Sequence, residues 1–155
     1  MSYTNADGLR VLTRGDQGVT REGGGTADHK LVLELDLASL GTSVTVDPYD
    51  AFIPAGAVIT DATLVVTNPA TSGGSATLTI GTYNAAGTAI DADGIDGTIA
   101  LGAIDADNDV VRCDGAQVDG VGGKLAANAY VKAIYGTAAF TGGTAKLIVE
   151  YTKVE

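Results

Sequence analysis

Residues 53–81 read IPAGAVITDATLVVTNPATSGGSATLTIG and contain the clearest structural pattern in the chain. Every second residue from 62 to 66 and from 76 to 80 is Ala, Leu, Val or Ile, with Thr or Val between them. This alternation predicts two half-buried strands. The polar loop NPATSGG between them predicts an antiparallel connection. Because the stretch has no histidine or cysteine and Asp61 is its single charged residue, we expect it to form a framework and not an active site.

Three further segments predict strands. In KLVLELDLASL (30–40), leucines occupy every second position and alternate with Val, Glu and Asp, which predicts a half-buried strand. TSVTV (42–46) predicts a short strand before a bend at Pro48 and Pro54. Near the C-terminus, AYVKAIYGTAAF and AKLIVEYTKV flank TGGT, whose two glycines can supply the positive φ angles of a tight hairpin.

The segment Tyr83–Asn128 mixes short apolar pieces with acidic turns and predicts either a short helix or two brief strands. The whole chain has several short strands, glycine turns and almost no helical period. It therefore predicts an all-β antiparallel sandwich of jelly-roll type. Residues 1–29 are polar, glycine-rich and without periodicity, so we expect an extended N-terminal arm there and a sandwich domain over 30–155.

Composition limits the partners. The 155 residues carry a formal charge of -10, from 19 acidic and 9 basic residues, and such a surface repels nucleic acid. The first 30 residues hold four basic and four acidic residues, so the excess negative charge lies in the remainder. There is no apolar run long enough for a membrane helix and one cysteine only, so we expect no membrane contact, no internal disulfide and synthesis in a reducing cytoplasm.

Few residues are candidates for catalysis. His29 is the single histidine and adjoins Asp28 at the end of the arm, where nothing in the sequence positions a base. Cys113 follows two valines, which predicts a buried, unreactive thiol. We therefore predict that the protein is not an enzyme.

Two acidic stretches, DADGIDG and DADND, resemble calcium loops in having alternate carboxylates. Their candidate ligands are Asp91, Asp93, Asp105, Asp107 and Asp109. Neither stretch completes the EF-hand pattern, because Asp96 and Val110 stand where a glycine is required. We expect solvated acidic turns and no cofactor or metal.

The order IPAGAVITDATLVVT…GGSATLTIGTY, an acidic middle, and AYVKAIYGTAAFTGGTAKLIVEYTKV resembles the head decoration, or cement, proteins of tailed bacteriophages. The resemblance covers Phe52–Glu155. It implies a jelly-roll-like sandwich that binds the outside of the phage head where major capsid subunits meet and stabilises it against the pressure of packaged DNA. That family has no catalytic residues to carry over.

The resemblance also implies partners and a location: the major capsid protein, other copies of the chain (a trimer in preference to a dimer), and the outer surface of the virion. From the neutral charge of the arm we predict that Arg10, Arg14 and Arg21 contact the capsid. The alternative is a carbohydrate-binding or adhesin-like jelly roll, with calcium in one version. The absence of Trp and the scarcity of other aromatics disfavour it, because sugar sites use aromatic platforms.

Overall fold

The computed structural model describes the backbone of residues 2–4, 9–12, 19–21, 28–119 and 122–154, and side chains from residue 29 onward. The strands are β1 Ser2–Thr4, β2 Leu9–Leu12, β3 Val19–Arg21, β4 Asp28–Asp36, β5 Phe52–Ile53, β6 Ala57–Ser72, β7 Thr77–Tyr83, β8 Ala89–Ala100, β9 Val110–Arg112, β10 Ala129–Gly136 and β11 Phe140–Lys153. Two single 3-10 turns cover Leu37–Ser39 and Leu101–Ala103. No α-helix occurs in the described part of the chain.

Strands β4 to β11 form two four-stranded antiparallel sheets packed as a sandwich. The first sheet has the order β4-β11-β6-β9 and the second the order β5-β10-β7-β8. Numbered from one to eight along the chain, the strands run 1-8-3-6 and 2-7-4-5, which is the strand order of a jelly roll. The predicted all-β sandwich is confirmed.

Both glycine-rich hairpins predicted from the sequence are wrong. NPATS belongs to the end of β6, and residues 73–76 connect β6 to β7, while residues 137–139 connect β10 to β11. In each case the two connected strands belong to opposite sheets. The TGGT segment lies inside β11, where the register against β6 shifts. Gly143 has a φ of 116°, and a Cβ there would lie 2.6 Å from the Cα of Ala70. These glycines therefore form a bulge that brings two strands close together, and they do not form a turn.

Two other segments differ from or complete the sequence interpretation. TSVTV is a loop and not a strand, and the chain pairs again only at β5. The undecided middle of the chain contains the 12-residue strand β8 and the three-residue strand β9, with no helix between them except the 3-10 turn at Leu101–Ala103. The strand alternative was therefore the correct one.

The core lies between the sheets and is aliphatic. Its fully buried members include Leu64 on β6, Leu78 and Ile80 on β7, and Leu147 on β11, with small alanines at intervening positions. Alternate residues of each strand point inward, so the period of two in the sequence directly locates the core face. The leucines of β4 at 31, 33 and 35 are only half-buried, because β4 lies at the edge of its sheet.

The N-terminal region contributes three short strands that pair antiparallel in the order β1-β2-β3. Within the described residues this small sheet pairs with no strand of the sandwich. The segment predicted as an extended arm thus contains local backbone pairing that its polar composition did not indicate. The division into an arm (1–29) and a sandwich (30–155) stays a prediction.

Candidate interaction surface

The two residues considered for catalysis, His29 and Cys113, lie in surroundings that suit a structural role. His29 is the second residue of β4, and its ring stacks on Tyr151 of β11 with centroids 5.1 Å apart. Cys113 is buried, as predicted, and burial together with the nearby carboxylates raises the pKa of its thiol to about 12. A thiol with this pKa stays protonated at neutral pH, so it is a poor nucleophile.

The DADND stretch forms a self-contained turn. The carboxylate of Asp109 accepts a hydrogen bond from the backbone N–H of Ala106 at 2.9 Å, and Asn108 adopts a positive φ of 67°. Asp105 and Asp107 point into solvent. The carboxylate of Asp109 is therefore used by the turn itself, in the way that aspartates commonly close turns.

The DADGIDG stretch lies on β8, where the strand bulges. Between the pairs Thr82–Asp91 and Ile80–Asp96, β7 has one residue and β8 has four. The bulge passes directly over Gly81, since a Cβ there would lie 2.2 Å from the carbonyl oxygen of Ala92. Desolvation, with the neighbouring Asp93 carboxyl, raises the pKa of Asp91. In the described part of the chain, no three Asp, Glu, His or Cys side chains converge to hold a metal ion.

The segment 113–119, which we call the closing segment, joins the two sheets at one side of the sandwich. The N–H of Cys113 bonds to the carbonyl of Ala62 on β6 at 2.9 Å. The N–H groups of Gly115 and Gln117 then bond to the carbonyls of Ile95 and Gly94 on β8, at 2.8 and 2.9 Å. The free edge of β8 is thereby covered, which protects it from pairing with another chain.

Buried polar side chains fix the closing segment. The side chain of Gln117 accepts a hydrogen bond from the hydroxyl of Thr82 at 2.8 Å, and both residues are buried. The carboxylate of Asp96 is 5% exposed and accepts backbone N–H bonds from Thr98 and Asp114. Desolvation is the main cause of a raised pKa at Asp96. The sequence did not predict these contacts. The bonds of Thr82 with Gln117 and of Asp96 with Asp114 join residues distant in the chain, and only that of Asp96 with Thr98 is local.

The three arginines predicted to contact the capsid are only partly within the described residues. Arg10 lies on β2 opposite Thr20, and Arg21 lies on β3 opposite Leu9. Arg14 and the side chains of all three lie outside the described part of the structure. Their role stays a prediction.

Four aliphatic side chains cross the outer surface of the β4-β11-β6-β9 sheet, and we call them the aliphatic row: Val32, Ile148, Val65 and Val110. Val32 on β4 lies opposite Ile148 on β11, and Val65 on β6 lies opposite Val110 on β9. The two pairs are offset by two residues, since Ile148 lies opposite Thr63, and both Ile148 and Val65 are half-buried. Val32 is 57% exposed and Val110 62% exposed, at the two edges of the sheet. Charged residues flank the row, including Lys30, which pairs with Glu150 at 3.2 Å. Apolar surface with a polar rim is the usual composition of a protein contact site.

A single aromatic side chain projects from the loop before β5. Tyr49 is 98% exposed at the tip of a turn in which the Asp50 carboxylate accepts the N–H of Asp47 at 2.8 Å. The same carboxylate pairs with Lys132 of β10. The hydrogen bond from Lys132, followed by that from Asp47, lowers the pKa of Asp50. Tyr49 is thus presented on a turn anchored to the sandwich, a suitable arrangement for an interface anchor.

Comparison with known proteins bears on the fold. No protein-family model and no curated protein matches the chain. A chain in the acidic stable capsid structure of Helicobacter pylori bacteriophage KHP30 superposes with a TM-score of 0.56 at 14% identity, over 82% of this chain and 90% of that one. A chain of the capsid of Ralstonia phage GP4 gives a TM-score of 0.49 at 19% identity, over 82% and 86%. A chain of the Cyanophage Pam1 capsid asymmetric unit gives 0.42 at 20%, over 98% and 99%.

At these identities a structural likeness shows the fold alone. The superposition on the KHP30 chain is close enough to show a shared fold. The other two superpositions are too loose to add to it. In the described residues there is no helix long and apolar enough to cross a membrane.

Proposed function

We propose that the chain is a structural component of a bacteriophage head, and more specifically a decoration protein that binds the outer surface of the assembled capsid. The observation that carries the proposal is the jelly-roll fold shared with a chain of the KHP30 capsid. The order of residues in the sequence also resembles that of cement proteins, and this resemblance points to the same class of protein. The proposal makes the protein a binder and not a catalyst.

The described surface supports a binding role. The cysteine is buried with a thiol pKa of about 12, and the histidine stacks on a tyrosine of the neighbouring strand. The features that remain exposed suit contact with protein: the aliphatic row, and Tyr49 on its anchored turn. Resistance to outward pressure depends on many such contacts repeated over the shell, since each contact adds to the others when copies are held on one particle.

The arm is the second part of the proposed contact. A neutral, glycine-rich segment with three arginines is able to lie along a partner and donate backbone and guanidinium hydrogen bonds. Ordering such a segment costs conformational entropy, so several of its contacts have to form together. The acidic sandwich would then face solvent, at junctions between major capsid subunits.

Cosedimentation with purified capsids of the phage that encodes the chain tests the proposal. We expect the full chain to pellet with expanded capsids and to raise the temperature at which they release DNA. Tyr49→Ala and the double variant Arg10→Ala, Arg21→Ala should each bind more weakly. The matched control is Lys124→Ala, a change at an exposed position outside both surfaces. A full chain that stays in the supernatant at every concentration would contradict the proposal.

A further inference from the structure

Strand β4 has one free edge. It lies at the end of the β4-β11-β6-β9 sheet, is nine residues long, and pairs on its other side with β11 along its whole length. Among the described residues no strand pairs with the outer edge of β4. At the opposite end of the sheet the edge strand β9 has only three residues and leads into the closing segment, which bonds to β8. A long, regular, uncovered edge is a site for strand addition.

The side chains near this edge are only partly covered. Leu31, Leu33 and Leu35 face the core yet remain half-buried. An opening of about 330 Å³ lies between Leu33 and Leu35 on β4 and Val131 on β10. The sandwich is therefore open where β4 is unpaired, and a strand added there would extend the covered apolar surface.

The residue order of β4 fits a second copy of itself. In an antiparallel pair centred on Val32, each residue lies opposite the residue equally far from 32 in the other copy. Lys30 then lies opposite Glu34 twice, and Val32 lies opposite its own symmetry mate. Opposite charges and paired aliphatics are the favourable cross-strand combinations. On the inner face Leu31 lies opposite Leu33, which joins the apolar layers of the two copies.

Neighbouring registers fit less well. Centring the pair on Leu33 keeps an opposite-charge pair, Lys30 with Asp36, but puts Val32 opposite Glu34. Centring it on Leu31 puts Lys30 opposite Val32 and Asp28 opposite Glu34. The Val32-centred register has two unfavourable combinations, Asp28 opposite Asp36 at the strand ends and His29 opposite Leu35 next to them. Because strand ends fray, the repulsion between Asp28 and Asp36 costs less there than it would at the centre of the strand pair.

We propose that two copies of the chain pair antiparallel through the free edges of β4, about a two-fold axis at Val32, and form one continuous eight-stranded sheet. This selects the dimer, and not the trimer, as the unit of self-association. Because a single strand pair gives an interface smaller than about 1,200 Å², we expect a reversible, concentration-dependent dimer. Dimerisation is measured without capsids, so this inference and the proposed function stand or fall separately.

Disulfide trapping tests the axis. Opposed residues of an antiparallel pair have Cα atoms about 4.5–5.5 Å apart, within the range that a disulfide spans. Val32→Cys should therefore form a disulfide-linked dimer under mild oxidation. The matched control is Val110→Cys, which is equally exposed and lies on the other edge strand of the same sheet. The native Cys113 is buried and stays out of the reaction. Equal cross-linking of both variants, or none by Val32→Cys, overturns the proposal.

A mixing experiment tests the register. Lys30→Cys and Glu34→Cys proteins, mixed before oxidation, should give more mixed disulfide dimer than either protein alone gives of its own. Sedimentation equilibrium of the unmodified chain should show a monomer–dimer equilibrium. Val32→Lys should raise its Kd at least about tenfold, because it opposes two ammonium groups, while Val110→Lys leaves the Kd unchanged. A trimer, a monomer at every concentration, or a mixed dimer no more abundant than the others contradicts the inference.

Discussion

At the scale of single residues, Asp96 shows how burial changes the effect of a charge. Its folded pKa lies above the usual value of 3.8, mainly because burial removes the carboxylate from water. The folded protein therefore binds a proton more readily than the unfolded chain does between pH 3.8 and the folded pKa. Within that pH range the contribution of Asp96 to stability falls as the pH rises. Above the folded pKa the contribution no longer changes with pH.

Asp96→Asn should remove this pH dependence. The variant loses a titrating group. It also places a side-chain amide where the Asp96 carboxylate accepts two backbone N–H bonds, and the cost of that change does not depend on pH. We expect the free energy of unfolding of wild type, minus that of the variant, to be most positive at pH 4 and least positive at pH 7. Urea unfolding at several pH values measures it. Asp107→Asn, at an exposed turn, is the control, and a pH-independent difference for Asp96→Asn would contradict the prediction.

Cys113 gives a second prediction at this scale. With a thiol pKa of about 12, the thiolate fraction at pH 8 is at least about a thousandfold lower than that of a free cysteine. Iodoacetamide should therefore modify the folded protein extremely slowly and the guanidinium-unfolded protein fast, as followed by intact mass. Fast modification of the folded chain would mean that the closing segment opens often.

At the scale of elements, the sequence located strands better than it located their partners. The alternation at 62–66, 76–80 and 145–151 identified both the strands and their buried faces, because one face of each strand packs into the core. The segments NPATSGG and TGGT had the composition of hairpin turns, yet β6 and β7 belong to opposite sheets, and so do β10 and β11. Which sheet a strand joins depends on contacts distant in sequence, and a local pattern does not contain them. The closing segment was missed for the same reason.

The closing segment depends on the absence of a side chain at Gly115. A Cβ there would lie 2.3 Å from the carbonyl oxygen of Gly94, so Gly115→Ala must displace backbone that is hydrogen-bonded to β8. We expect a loss of about 1–3 kcal/mol in the free energy of unfolding, typical of overpacking. Gly102→Ala is the matched control, since nothing lies within 4 Å of a Cβ at that position. Thermal unfolding compares them, and equal melting temperatures would show that the segment yields freely.

At the scale of the whole molecule, the candidate surfaces were harder to predict than the fold. The outward-facing positions of Val32, Val65, Val110 and Ile148 are recognised as neighbours only after the register of four strands is known. Tyr49 is one of six tyrosines, and its sequence neighbours do not indicate that it is the fully exposed one. The arginines of the arm were identified by charge distribution alone, so their contribution depends on experiment.

The division of the chain into arm and sandwich gives the last prediction. The buried aliphatic residues that the structure describes lie at Leu37 and beyond, and the sheet formed by β1, β2 and β3 pairs within itself. Deleting Ser2–Gly25 should therefore shift the melting temperature by no more than about 2 °C, because the deleted sequence is mostly polar and glycine-rich. Circular dichroism follows the cooperative loss of β structure in the truncated and full chains. If the truncated chain unfolds without cooperativity, the first 25 residues are part of the sandwich, and their arginines must then be interpreted as structural residues before any contact with a capsid is assigned to them.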